Sequence, residues 1–283
     1  MTEDGEIIKL HEKTLEEVAM NIVNSNEDEK EKEIRIGQFL AKKSEFETTL
    51  KSKLGRFYFS FYNNLPKIDK QYLFRFIYLC TYLKYNDTRL ALKLDNDRYT
   101  LIKENELQEL LKLSKSEYYR TKDVLINNDL ICIDKDDNIH INNKISTLGN
   151  TNNKNDFTRI FKDAIQNIYK KSLPREHKKL ALFIDLLPYV NFNLNIICFN
   201  PNEVQPIAID PLTIKDIQKI LGDNGGKNLS RLRNTLLNTF IGDEKAMLIV
   251  KDFEKEFFVV NPKMYYKGNR IDDLNYLINL FSI

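Results

Sequence analysis

Apolar residues recur along the chain in short periodic runs, and changes of period mark out its elements. Residues 4–23 place Ile7, Ile8, Leu10, Leu15, Val18, Ala19, Ile22 and Val23 at loosely helical spacing. After the polar break Asn24–Asn26, residues 28–54 continue the pattern with Ile34, Ile36, Phe39, Leu40, Phe46, Leu50 and Leu54 among many charges. Such a stripe predicts a long amphipathic helix or a short coiled coil. Either a partner helix or the chain's own body would bury it.

From Gly55 to Ser146 the pattern changes. An apolar helix is predicted over Ile68–Tyr85, with Pro66 at its start. Leu90–Leu94 and Tyr99–Ile102 read as a hairpin turning at Asp95-Asn96-Asp97. Residues 103–112 form a short helix with Leu107, Leu110 and Leu111 apolar. Leu113-Ser114-Lys115-Ser116 breaks it and offers Ser114 or Ser116 as an N-cap. A second helix, Glu117–Asn128, turns Tyr118, Val124 and Leu125 inward. Leu130–Asp134 and Asn138–Asn142 then alternate as strands around Lys135-Asp136-Asp137. Two short helices, a tight turn and a hairpin make a winged helix-turn-helix.

Residues 147–156 are polar and Asn/Gly-rich, a linker. Beyond them the same order returns. Helices are predicted over 157–172 and 175–191, with Pro174 at the start of the second and Pro188 near its end. β-Branched segments follow at 194–200 and 204–209, around Pro201. Thr213 caps a short helix, Ile214–Leu221. A turn from Gly222 to Gly226 leads to a helix over Asn228–Phe240, a hairpin from 245–252 and 256–261, and a closing helix at 271–281. The expected fold is therefore α+β, mainly α with small β-hairpins. It comprises a helical extension (1–55) and tandem winged helix-turn-helix domains (56–146 and 157–283) joined by the linker.

Charge sharpens this picture. The net +2 is a cancellation: residues 1–30 hold nine acids against three lysines, a net −6, which leaves +8 for the rest. An acidic head on a basic body points to a nucleic-acid partner for the body and a protein partner for residues 1–55. No stretch approaches 18 consecutive apolar residues, so no membrane span is expected. The opening MTEDGEIIKL has neither the basic nor the apolar region of a signal peptide. Cys80, Cys132 and Cys198 lie far apart in apolar runs, as buried small hydrophobes of a reducing cytoplasm would. Lysine outnumbers arginine 32 to 11, and 31 asparagines stand against seven alanines. AT-rich coding DNA, as in a low-GC bacterium or its phages and plasmids, produces that usage.

Catalytic chemistry is sparse, and neither an enzyme, a cofactor nor a metal is expected. Gly222, Gly225 and Gly226 do not make a phosphate-binding P-loop. Gly225-Gly226-Lys227 is either a flexible turn or a backbone cradle for a DNA phosphate. His11, His140 and His177 share no motif with a carboxylate or thiol. His140 is expected to point out from the first wing, and His177 to sit on a solvated or phosphate-facing turn with Arg175, Lys178 and Lys179. Tyr119 as a DNA-nicking nucleophile would need a metal-binding histidine cluster, which the sequence lacks. Core packing by Tyr118 and a base or phosphate contact by Tyr119 fit better.

The cations fit double-stranded DNA. The first recognition helix would offer Lys115, Ser116, Tyr119, Arg120 and Lys122, with Lys135 and Lys144 near phosphate at its wing. The second would offer Lys227, Ser230, Arg231, Arg233 and Asn234, with Arg231 and Arg233 as guanine-reading forks. Further basic clusters occur at Lys42, Lys43, Lys51, Lys53 and Arg56; at Lys170, Lys171, Arg175, Lys178 and Lys179; and at Lys263, Lys267 and Arg270.

Val260-Asn261-Pro262-Lys263-Met264-Tyr265-Tyr266-Lys267-Gly268-Asn269 resembles the Asn-Pro, aromatic-pair, Gly ending of winged-helix replication proteins from plasmids and phages of low-GC Gram-positive bacteria. The tandem layout resembles that of plasmid replication initiators. The resemblance implies binding to repeated origin sequences, autorepression and a monomer–dimer switch, although the acidic extension departs from the pattern. The leading expectation is a sequence-specific DNA-binding protein acting in replication initiation. A transcriptional regulator built on the same modules, an adaptor for replisome or polymerase components, and a nickase are the alternatives.

Overall fold

The computed structural model describes residues 29–94, 98–149, 157–222, 229–252 and 255–282. Residues 1–28, the turn at 95–97, residues 150–156 of the expected linker and the glycine-rich turn with Lys227 lie outside the described residues. The fold is mixed α+β with small antiparallel sheets.

Helix α1 (Glu29–Leu54) leads to strand β1 (Phe57–Ser60) and helix α2 (Lys70–Cys80), whose N-cap Asp69 accepts from the Gln71 N–H. Then follow β2 (Ala91–Lys93), β3 (Tyr99–Leu101), α3 (Leu107–Leu110) and α4 (Lys115–Asn127). Ser114 caps α4 by accepting from the Glu117 N–H. Strands β4 (Ile131–Ile133), β5 (Ile139–Ile141) and β6 (Ser146–Thr147) close the first half. The second half begins with β7 (Thr158–Phe161), α5 (Lys162–Lys171), α6 (His177–Leu180) and α7 (Leu182–Asp185). It continues through α8 (Ile214–Ile220), α9 (Leu229–Leu237), β8 (Phe240–Ile241), β9 (Glu244–Lys245), β10 (Met247–Asp252), β11 (Lys255–Val260), β12 (Tyr265–Tyr266) and α10 (Ile271–Phe281).

Several expectations are corrected. The helix expected over 157–172 is a strand followed by a helix. Ile160, Phe161, Ala164, Ile165, Ile168 and Tyr169 are all buried, so a both-faces-buried strand runs into an amphipathic helix without a break in the pattern. The helix over 175–191 is broken into short turns, the last of which, Leu187–Tyr189, contains Pro188. The segment 204–209 is a 3₁₀ turn at Pro206–Ala208 rather than a strand. Cys80 and Cys198 are buried, but Cys132 is exposed, because β4 turns alternate side chains to solvent.

The two expected domains meet in one four-stranded antiparallel sheet, ordered β12-β7-β1-β6. Thr147 belongs to it, and Leu148 accepts from the Asn86 N–H, so the start of the expected linker is fixed to the sheet edge. At the centre, Phe57, Tyr58, Phe59 and Ser60 face Phe161, Ile160, Arg159 and Thr158. The flanks repeat one another. Phe61 donates its N–H to Ile145 as Phe161 does to Met264. Ser60 pairs with Ser146 as Ile160 pairs with Tyr265, and Phe59 with Thr147 as Arg159 with Tyr266. Phe59 and Arg159, equivalent in this scheme, pair with each other. A pseudo-twofold axis therefore stands perpendicular to the sheet at that pair and relates the two halves of the chain.

The likeness runs through both halves. In the first, the Ile102 N–H donates to Leu90, that of Leu90 to Ile139 and that of Ile141 to Thr88. In the second, the Leu212 N–H donates to Ile197, that of Ile197 to Phe258 and that of Val260 to Asn195. Asn142 and Asn261 close the two hairpins alike. Each Oδ1 accepts from the N–H two residues on, at Lys144 or Lys263, and each Nδ2 donates to a carbonyl, of Asp129 or Lys245. Each half thus holds helical packing, a short extended segment, two short helices, and a hairpin whose second strand pairs with that segment.

Two cores sandwich the sheet. On the Tyr58 and Ile160 side, α2 and α5 pack with Tyr118 and Leu125 of α4 and with Leu232 and Leu236 of α9. On the other side, Phe57, Phe59, Phe161 and Tyr266 meet Phe46, Leu50 and Leu54 of α1 and Leu274, Leu277 and Phe281 of α10. The chain's own body therefore covers the last third of the α1 stripe, while Ile34 and Leu40 stay exposed. Among the described residues no helix is long and apolar enough to cross a membrane.

A buried guanidinium ties α4 to both halves. Arg75 of α2 donates to Thr121 (2.7 Å) and to His177 Nδ1 (3.2 Å), and pairs with Glu117 at 2.9 Å. His177 is buried, which corrects the expected solvated turn; burial and the Arg75 charge push its pKa from 6.5 down to about 4. It is neutral in the fold and charges on unfolding, so stability present above pH 6.5 is lost as the pH falls toward 4. The carboxyls of Asp87 and Asp134, held well below the usual range by hydrogen bonds from Arg89 and from Asn138 and His140, act below that window. We expect the thermal midpoint to fall between those two pH values and His177→Gln to flatten the slope. A slope unchanged in the variant would assign it to other groups.

Candidate nucleic-acid interface

The pseudo-twofold axis makes α4 and α9 counterparts on the same side of the sheet, each with an apolar face inward and a polar face outward. On α4, Lys115, Ser116, Tyr119 and Arg120 are exposed, Tyr119 at 47%. Lys122 does not join them. Its ammonium pairs with Glu104 at 2.6 Å and lies over the Tyr118 and Tyr119 rings, so the cation is spent on holding the helix against the residues before α3. Val124 is half-buried, and Thr121 takes the inward position that spacing alone would not give to a polar side chain.

On α9, Ser230, Arg231 and Asn234 are exposed. Arg233 is corrected as a base reader: its fork is occupied by both carboxylate oxygens of Glu256, at 2.9 and 3.1 Å, and lies over Phe258. Arg231 has no ion pair among the described residues and remains the free guanidinium of this helix. Lys227 lies outside the described residues. At the β4–β5 turn Lys135 is exposed, but Asp136 and Asp137 are exposed beside it and weaken any attraction to phosphate. Lys144 is exposed. His140 is held between Thr88 Oγ1 (2.8 Å) and Asp134 Oδ2 (3.1 Å) rather than pointing free.

The segment 260–269 is built for folding. Lys267 is 8% exposed and donates to the Leu187 carbonyl at 2.7 Å, which corrects its assignment to DNA phosphate. Lys263 is half-buried and paired with Glu244. Tyr265 and Tyr266 are buried in opposite cores. Gly268 is required by close approach: a Cβ there would sit 2.3 Å from the Tyr266 hydroxyl oxygen.

An open cleft of about 620 Å³ separates the end of α5 and the turn after it from α9. Lys171, Ser172, Glu176 and Lys179 line one wall; Arg231, Asn234, Asn238 and Phe240 line the other. Lys171 and Lys179 stand in a basic cluster that sequence alone shows, whereas Asn238 and Phe240 do not stand out in it. Their signal was the spacing of Arg231, Asn234 and Asn238 along one helical face, which becomes a wall only when α5 lies opposite. Among the described residues no group of three or more His, Cys, Asp or Glu side chains could hold a metal ion.

Comparison with known protein families, curated proteins and solved structures finds no match.

Burial separates the two lysines of the C-terminal segment. Lys267→Met should cost about 1–3 kcal/mol in denaturant unfolding, because buried carbonyls lose their donor. Lys263→Ala should cost under about 1 kcal/mol, since its ion pair is partly solvated. Equal costs would contradict the inward position of Lys267.

Proposed function

We propose that this chain is a double-stranded DNA-binding protein whose two halves are winged helices with α4 and α9 as recognition helices. The repeated hydrogen-bond pattern carries the reading. In both halves, the extended segment before the first short helix pairs with the second hairpin strand, as a winged helix requires, and the second short helix turns an exposed polar face outward. Lys115, Tyr119 and Arg120 on α4, and Ser230, Arg231 and Asn234 on α9, are the contact residues of this proposal. Lys122, Arg233 and Lys267 leave the contact set because their charges are engaged inside the protein.

The pseudo-twofold axis favours half-sites inverted with respect to each other, since the order of contacts along DNA mirrors the symmetry of the protein. Action in replication initiation rests on the resemblance of residues 260–269 and of the tandem layout to plasmid and phage replication proteins. Those ten residues support it as a shared folding element rather than as a DNA contact. The exposed Ile34 and Leu40 of α1 offer a surface for a protein partner or a second copy.

Selection from randomised duplexes should return two inverted half-sites, with affinity falling steeply as salt rises. Arg120→Ala and Arg231→Ala should each cost about 1–3 kcal/mol on that site and relax preference in one half. Failure to retain any duplex at low salt would sink the DNA-binding reading. A direct repeat would sink only the symmetry argument.

A further inference from the structure

The cleft beside α9 shares Arg231 and Asn234 with the proposed duplex contacts and adds groups that those contacts do not use. The cleft, of about 620 Å³, is open to solvent. Lys171, Lys179 and Arg231 bring three cations to it from both walls, without an ion pair among the described residues. The one carboxylate, Glu176, is engaged by the Leu173 N–H at 2.8 Å. Asn234 and Asn238 stand one helical turn apart, and neither side-chain amide is engaged by a neighbouring group among the described residues. At the end of the same wall the Phe240 ring is 45% exposed.

Cations that track a phosphodiester and an aromatic face for stacking are the two elements of single-strand recognition, and the amides offer contacts to base edges. We propose that this cleft is a binding site for one strand of single-stranded nucleic acid, with a base stacked on Phe240 and the backbone between Lys171, Lys179 and Arg231. An inorganic anion would engage the cations and leave Phe240 idle. An apolar ligand would bury the cations without partners. The inference rests on the DNA-binding reading in sharing Arg231 and Asn234 with it, and adds a strand that α4 does not touch.

Fluorescence anisotropy of the full chain with labelled oligo(dT) and oligo(rU) of about 20 nucleotides, beside the selected duplex, tests it. The wild type should bind at least one single strand, and whichever of the two it prefers identifies that strand as DNA or RNA. Phe240→Ala should weaken single-strand binding by about fivefold or more and leave duplex binding within about twofold. Lys179→Glu should weaken single-strand binding as well, and more at low salt than at high salt. Thermal melts matching the wild type would show that both exposed-site variants fold. No single-strand binding by the wild type, no effect of Phe240→Ala, or an equal loss on duplex would each overturn the proposal. Duplex binding that survives such a result leaves the DNA-binding reading intact.

Discussion

The antiparallel pairing of Phe59 with Arg159 is the contact on which the rest of the molecule depends. It joins the two central strands, it lies on the pseudo-twofold axis, and it places a guanidinium in the core. Arg159 donates to the carbonyls of Lys267 (3.3 Å) and Gly268 (3.0 Å) and lies against the rings of Phe46, Phe57 and Phe157. Burial pulls its pKa down to about 10, still well above neutrality, so the charge persists in the fold. One side chain thereby fastens α1, β1 and the loop before α10 to β7. Removing it would take that donor from two carbonyls and the cation from among three aromatic rings.

From that pairing follows the placement of α4 and α9. Because α2 and α5 lie on one face of a shared sheet, α4 and α9 are brought to the same side and held by a single core. A polar linker alone would leave their mutual geometry to chance. The halves are nonetheless not copies. Arg75 draws α4, α2 and α6 together through Thr121, Glu117 and His177, so the position of α4 depends on the second half. On the other half, Arg233 and Glu256 lock α9 to the β10–β11 hairpin. An acid-sensitive contact supports one helix and a solvated ion pair the other.

Basic residues illustrate what residue type alone leaves open. Arg75, Arg159, Lys162 and Lys267 are buried and donate largely to neutral oxygen or nitrogen atoms inside the protein, while Arg120 and Arg231 face solvent. Nothing in local sequence separates Arg231 from Arg233, two residues apart on the same helix. Their roughly 200° angular separation sends one to the cleft and the other to Glu256. The same limit explains Lys267: it follows an aromatic pair that the sheet buries, so its ammonium must find carbonyls from remote turns.

Local physics was legible in the chain from the start. Ser114 and Thr213 mark their helix starts because a hydroxyl accepts from an N–H within three residues. The β4–β5 hairpin follows from alternation, the β10–β11 hairpin from two apolar β-branched and aromatic runs on either side of a polar turn, and α10 from its apolar period. The recurrence of Asn142-Asn143-Lys144 as Asn261-Pro262-Lys263 was also in the sequence, and would have pointed to the repeat directly. Only the tertiary structure decided that β1 and β7 are strands, that the halves share a sheet, which cations reach solvent, and that α5 and α9 enclose a cleft. Each depends on partners far apart in sequence. A strand buried on both faces carries no period of its own, and a side chain's charge is assigned to core or solvent by whatever the fold sets beside it.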